Sequence, residues 1–152
     1  MPVHLIAIIG KKDEPLFFST EEEDSEALNL KRLSHEALDI VDERLAEARN
    51  DKESKNSFDL YMGLLMTVSE YEVFGFISNT KVKIIVICAN EHDNARESPR
   101  VGGDRKAMRT FIMQVYALYV TDVQNPLQSI SAPCRSDSFA TKIENLKTNI
   151  TF

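Results

Sequence analysis

Two short runs of this chain are apolar at every position: Leu5-Ile6-Ala7-Ile8-Ile9 and Ile84-Ile85-Val86-Ile87-Cys88. A strand with one face in water alternates apolar and polar residues, because successive side chains point to opposite sides of the sheet. These runs do not alternate, so each predicts a strand covered on both faces. Their richness in Ile and Val also suits strands better than helices. Both fall far short of the roughly 18 consecutive apolar residues a membrane span needs. The candidate strands around them are joined by short turns, which makes the sheet antiparallel. An antiparallel sheet with two-sided strands needs helices on both of its faces.

The rest of the chain supplies those parts. Val3 to Ile9 reads as a strand, Gly10 to Glu14 as a hairpin connection, and Pro15 to Ser19 as a second strand. The acidic segment Ser19 to Glu26 is either a loop or the negatively charged entrance of a helix, where the dipole favours carboxylates. From Leu28 to Arg49 the period becomes helical, with Leu30, Leu33, Ala37, Ile40, Val41, Leu45 and Ala48 on one face. Residues 50–57 have nothing to bury and read as a loop. Strands are predicted over Phe58 to Met66, Tyr71 to Ser78 and Lys81 to Ala89, with Asn79-Thr80 as a two-residue link. Residues 91–106 form a long polar loop containing Ser98-Pro99 and Gly102-Gly103. A second helix spans Ala107 to Gln124 and stops at Asn125-Pro126. A last helix starts at a Ser136 or Asp137 cap, with Phe139, Ile143, Leu146 and Ile150 on one side. The order is β-β-α-β-β-β-α-α, an α+β fold in a single domain over residues 1–152, with residues 91–106 as a loop within it.

Charge and cysteine content narrow the function. Eighteen Lys and Arg stand against 24 Asp and Glu, a net charge of −6. That balance argues against a nucleic-acid binder, whose phosphate contacts need clustered Lys and Arg, and against docking to anionic lipid. Two cysteines, Cys88 within an apolar run and Cys134, do not make a disulfide scaffold. The apolar N-terminal run lacks a basic lead and a small-residue cleavage site, so it reads as a strand rather than a signal sequence. A soluble intracellular protein is expected, with no direct membrane insertion.

No catalytic constellation is visible. The five glycines form no phosphate-binding loop, dinucleotide fingerprint or nucleophile elbow. His35 and Asp39 stand four apart, but no second cluster completes a metal site, and Glu91-His92-Asp93 reads as polar loop. Neither a cofactor nor a metal is expected, and the chain does not read as an enzyme. Two surface features remain. On the second helix Met113, Ala117 and Val120 form an apolar ridge beside the core face. Either the last helix packs over it with Phe139 and Ile143, or another subunit covers it. On the first helix Glu36, Asp39, Glu43 and Glu47 form an acidic stripe, which is either a solvated face or a surface for a basic partner.

Several segments in register carry a resemblance. Leu38-Asp39-Ile40-Val41-Asp42-Glu43 resembles the L-D-x-V-D-E signature of the sedlin family of trafficking protein particle (TRAPP) complex subunits. The stretches Tyr61 to Leu65 and Tyr71 to Lys83 are similar to the 2-like branch of that family nearly residue for residue. Tyr119 to Pro126 resembles the end of the family's second helix, and Phe139 falls where the family opens its last helix with an aromatic residue. The likeness covers nearly the whole chain.

This resemblance implies a longin or sedlin-like fold, a five-stranded antiparallel sheet with one helix on one face and two on the other. It further implies a non-catalytic adaptor or assembly subunit of the TRAPP complex, which tethers vesicles between endoplasmic reticulum and Golgi and exchanges nucleotide on Rab GTPases. The expected partners are other TRAPP subunits, with a Rab reached only through the complex. The expected location is cytoplasmic, at Golgi and endoplasmic reticulum membranes. Glu36, Asp39 and Glu43 are then expected to face a basic partner surface, and Met113, Ala117 and Val120 to make the apolar contact. The alternatives are sedlin itself, TRAPP subunit 2, and the longin regulatory domain of a SNARE. Against the latter, no heptad run follows to Phe152.

Overall fold

A computed structural model describes residues 3–20, 24–50, 61–68, 70–90, 103–124 and 137–149. Its elements are β1 (Val3–Ile9), β2 (Pro15–Thr20), α1 (Asp24–Asn50), β3 (Tyr61–Val68), β4 (Tyr71–Ile77), β5 (Lys83–Ala89), α2 (Gly103–Val123) and α3 (Asp137–Asn149). The strands form one antiparallel sheet in the order β2-β1-β5-β4-β3. The two runs without alternation are β1 and β5, side by side at and next to the centre. Their register places Ile6 opposite Val86 and Ile8 opposite Ile84 towards one face, and Leu5 opposite Ile87 and Ala7 opposite Ile85 towards the other. Each set joins a separate core.

On one face α1 packs Leu30, Leu33, Ala37, Leu38 and Val41 against Leu5, Ala7, Ile9, Val73, Ile85 and Ile87. The buried stripe of α1 is centred differently from the sequence reading. Ser34 and Leu38 are buried, whereas Ile40, Leu45 and Ala48 are only half-buried. Ser34 can be buried because its hydroxyl donates to the Lys31 carbonyl at 2.6 Å, leaving no unmet polar group. On the other face α2 contributes Met108, Phe111, Ile112, Val115 and Tyr119, and α3 adds Phe139 and Ile143. The architecture is thus the α+β, sedlin-like one expected, with one helix against two.

Several boundaries differ from the sequence reading, each for a local reason. The α1 helix takes in Asp24 to Glu26, so part of the acidic segment is the helix entrance. The α2 helix begins at Gly103, not Ala107, so 103–106 is its first turn and not loop. That turn reads Gly103-Asp104-Arg105-Lys106, without an apolar side chain, and so leaves no trace in the hydrophobic pattern. The remainder of the predicted loop, 91–102, lies outside the described residues, as do Phe58 to Leu60, Ile150 and residues 51–57 of the predicted 50–57 loop, whose first residue, Asn50, instead ends α1. The β3 strand runs on to Val68.

The Asn79-Thr80 link is a three-residue turn with β5 starting at Lys83. Lys81 N–H donates to the Ser78 carbonyl at 3.0 Å, Ser78 N–H donates to Val82 at 2.8 Å, and Lys81 has φ 67°. The β1–β2 turn repeats this design: Asp13 N–H donates to Gly10, Gly10 N–H donates to Glu14, and Asp13 has φ 61°. Three-residue hairpins commonly combine a type I turn with one left-handed residue. Both turns lie at one end of the sheet, pinned together by an ion pair between Asp13 and the buried Lys83. Among the described residues no helix is long and apolar enough to cross a membrane.

Candidate functional site

The sheet separates the two sets of sequence-predicted residues. Glu36, Asp39 and Glu43 belong to α1, on one side of the molecule, and all three are exposed. Their spacing of three and four places them along one flank of the helix. Glu36 lies 3.4 Å from Arg32, one turn earlier, with both side chains more than half exposed. Asp39 and Glu43 have no ion-pair partner among the described residues. Among the described residues the flank therefore presents two carboxylates without a paired cation beside a weakly compensated one.

Behind that flank α1 is tied to the edge of the sheet. The Arg44 guanidinium donates to the carbonyls of Met62 at 2.8 Å and Leu64 at 3.0 Å on β3. β3 has register irregularities at Tyr61/Gly63 and Leu64/Met66, and Gly63 takes φ 72°. At the other end of α1, Glu26 accepts a hydrogen bond from the Tyr71 hydroxyl. These contacts fix the helix, and with it the direction the acidic flank faces.

Met113, Ala117 and Val120 lie on α2, on the opposite side. The last helix does not cover them. α3 sits beside α2, inserting Phe139 and Ile143 into the core, and Phe139 packs edge-on to Phe17 of β2 at 4.9 Å between ring centres. Met113 is 44% exposed, Ala117 is exposed and Val120 is half-buried. The ridge divides two concavities. On the α3 side, Ala117 and Leu118 border a groove of about 470 Å³ whose far wall holds Lys142 and Leu146. On the other side Val120 borders a cleft of about 630 Å³ that reaches the two hairpin turns.

That cleft is not what the sequence pattern suggests. Tyr119 and Val123 read as core face and Val120 as ridge, yet all three line one opening with Leu16 and Val82. Helical periodicity assigns a residue to a face of its own helix and carries no information on whether a distant turn closes the space beneath it. The Lys11-Lys12 pair was the available signal, but it reads as turn.

No group of three or more possible metal ligands occurs among the described residues. His35 faces the Phe18 ring at 6.5 Å rather than making a site with Asp39. Glu91-His92-Asp93 lies outside the described residues. Cys88 is buried, and desolvation pushes its thiol up to about 12, away from the range of a reactive nucleophile.

The profile of the Sedlin family matches residues 8–149. The chain belongs to the sedlin family. Relatives that cover nearly its full length are the trafficking protein particle complex subunit 2-like proteins of Dictyostelium discoideum, 28% identical over 93% of each chain, and of Mus musculus, 25% identical over 95% of this chain and 96% of the other. Subunit 20 of the same particle in Saccharomyces cerevisiae is 27% identical over 92% of this chain and 93% of its own. The sedlin-family membership and the helix-one-against-two sheet agree with the resemblance carried by the L-D-x-V-D-E and Tyr71–Lys83 segments.

Proposed function

We propose that this chain is a non-catalytic adaptor or assembly subunit of a TRAPP-type vesicle-tethering complex, working through protein–protein contacts in endoplasmic reticulum-to-Golgi and Golgi transport. The observation that carries the reading is the placement of an acidic flank and an apolar ridge on opposite sides of one sheet. A module with two unlike surfaces back to back can bridge two neighbours. Glu36, Asp39 and Glu43 would face a basic surface and guide its approach and orientation. Met113, Ala117 and Val120 would supply the apolar contact and most of the affinity. The complex's Rab GTPase is reached only through the assembly. On this reading the chain works in the cytoplasm, held at Golgi and endoplasmic reticulum membranes by its partners, and binds no nucleic acid. The family membership and the names of the long-covering relatives support this reading over a SNARE regulatory domain.

The test is affinity purification of the tagged protein from its own cells, sized and read by mass spectrometry. Recovery at high mass with TRAPP subunits is expected. An isolated chain of about 17 kDa with none of them would overturn the proposal. Asp39→Lys with Glu43→Lys should lose one neighbour and Met113→Lys another. Each should leave stability within about 0.5 kcal/mol, because the positions are exposed.

A further inference from the structure

The cleft between the two hairpin turns and the end of α2 has the make-up of a peptide-anchor site. Its walls are Leu16, Val82, Tyr116, Tyr119, Val120 and Val123, and its volume of about 630 Å³ falls within the usual size of a ligand pocket. It is open along one side, which suits a side chain presented by a backbone that stays outside. The mouth is formed by Lys11, Lys12 and Glu14.

The charge at that mouth is settled by the turn. The Glu14 carboxylate accepts the backbone N–H of Lys12 at 2.8 Å. It lies over the Cα of Gly10, in the space a side chain there would need. Gly10 is buried and Glu14 half-buried, with its carboxylate folded back onto its own turn. Lys11 and Lys12 are exposed and have no ion-pair partner among the described residues. In a chain of net charge −6 the rim of this cleft is therefore locally cationic, next to an apolar floor.

We infer that the cleft takes a single aromatic or branched aliphatic side chain from an acidic segment of a partner protein, with flanking carboxylates meeting Lys11 and Lys12. The apolar walls supply the anchor's burial, and the lysines select the charge of the flanks. A hydrocarbon ligand bound alone would favour an enclosed cavity, in which most of its surface leaves water. The half-open shape favours the peptide. The inference does not depend on the partner being a TRAPP subunit.

The experiment is a titration of the isotope-labelled full chain, followed by amide nuclear magnetic resonance shifts. The probe is a short peptide with one Phe among Asp and Glu residues. Its controls are the same peptide with Ala for Phe, the same with Lys for each acid, and sodium dodecanoate. Shifts confined to residues 10–14, 80–82 and 116–124 are expected with the acidic Phe peptide alone, weakening as salt is added. Lys11→Glu with Lys12→Glu, on an exposed turn, should weaken binding about three- to tenfold, and Val123→Asp should abolish it in a chain whose spectrum stays dispersed. Equal response to the Ala or the Lys peptide, or no response at millimolar peptide, overturns the inference. Dodecanoate shifting the cleft when the peptide does not would make it a site for small amphiphiles and overturn it too. No TRAPP protein is present, so failure here leaves the co-purification result untouched, and the converse holds.

Discussion

The two faces of the sheet are covered by different means. On one, a single helix of 27 residues lies over β3, β4 and β5 and is fastened to the sheet edge by Arg44. On the other, two shorter helices of 21 and 13 residues share the work, and their margins leave a groove and a cleft. A long helix with one narrow buried stripe leaves a long flank that is mostly polar, with Leu28 near its start the exposed apolar exception. A pair of helices has seams, and seams expose apolar side chains and make concavities. The one sheet thus carries two unlike surfaces.

This contrast can be tested from both sides. The largest expected effect is on a rate. Cys88 points into the two-helix face, and burial pushes its thiol from 9.0 to about 12. Its alkylation by iodoacetamide near neutral pH should be slower than that of an unfolded thiol by roughly a thousandfold or more. Because the folded value lies above the unfolded one, this thiol's contribution to stability is intact below pH 9 and is lost as pH rises towards 12. Labelling in native buffer at the unfolded rate would mean that the two-helix face opens by itself.

Truncation in each core comes next. Phe111→Ala should cost about 3–5 kcal/mol and Leu30→Ala about 2–5 kcal/mol. Both should lower the urea midpoint of a single transition, since β1 and β5 belong to both cores. A separate early loss of helix in Leu30→Ala, seen by circular dichroism, would show α1 to be an independent cover. A smaller effect is confined to the one-helix face. A Cβ on Gly75 would stand 2.5 Å from Leu65 Cδ1 and 3.1 Å from its Cγ, so Gly75→Ala should cost about 1–3 kcal/mol. Adding Leu65→Ala should give less than the sum of the two costs, and simple additivity would contradict the clash. The smallest effect is at the fastening. Arg44→Ala should cost about 1 kcal/mol and speed amide exchange along β3 while leaving β1 and β5 protected. Unchanged exchange in β3 would mean that the guanidinium adds nothing there.

Most of the fold could be read in advance, because its strongest signals are local. The unbroken runs at Leu5–Ile9 and Ile84–Cys88 demanded two covers, and the three-and-four spacing of Leu30, Leu33, Ala37 and Val41 supplied one of them. The first turn of α2 is not legible, because Gly103 to Lys106 have the composition of the polar loop before them. Asn79-Thr80 was read as the whole turn because Lys81 gives no sign in sequence of adopting a positive φ. On the surfaces, the exposure of Glu36, Asp39 and Glu43 followed from helical geometry alone. Whether Met113 and Ala117 were covered depended on where α3 settles beside α2, a packing outcome with no sequence period. The cleft was least legible, since its walls come from β2, the stretch leading into β5, and α2, and meet only in the folded chain.

Arg44 has one more consequence. A bare outer strand is a template on which a foreign strand can be laid, and stacking of that kind ends in fibres. On β3 the carbonyls of Met62 and Leu64 are already claimed by a guanidinium anchored in α1, and the bulged backbone around Gly63 is a poor match for a straight newcomer. The guanidinium and the bulge together make the β3 edge a poor template for a second copy of the chain.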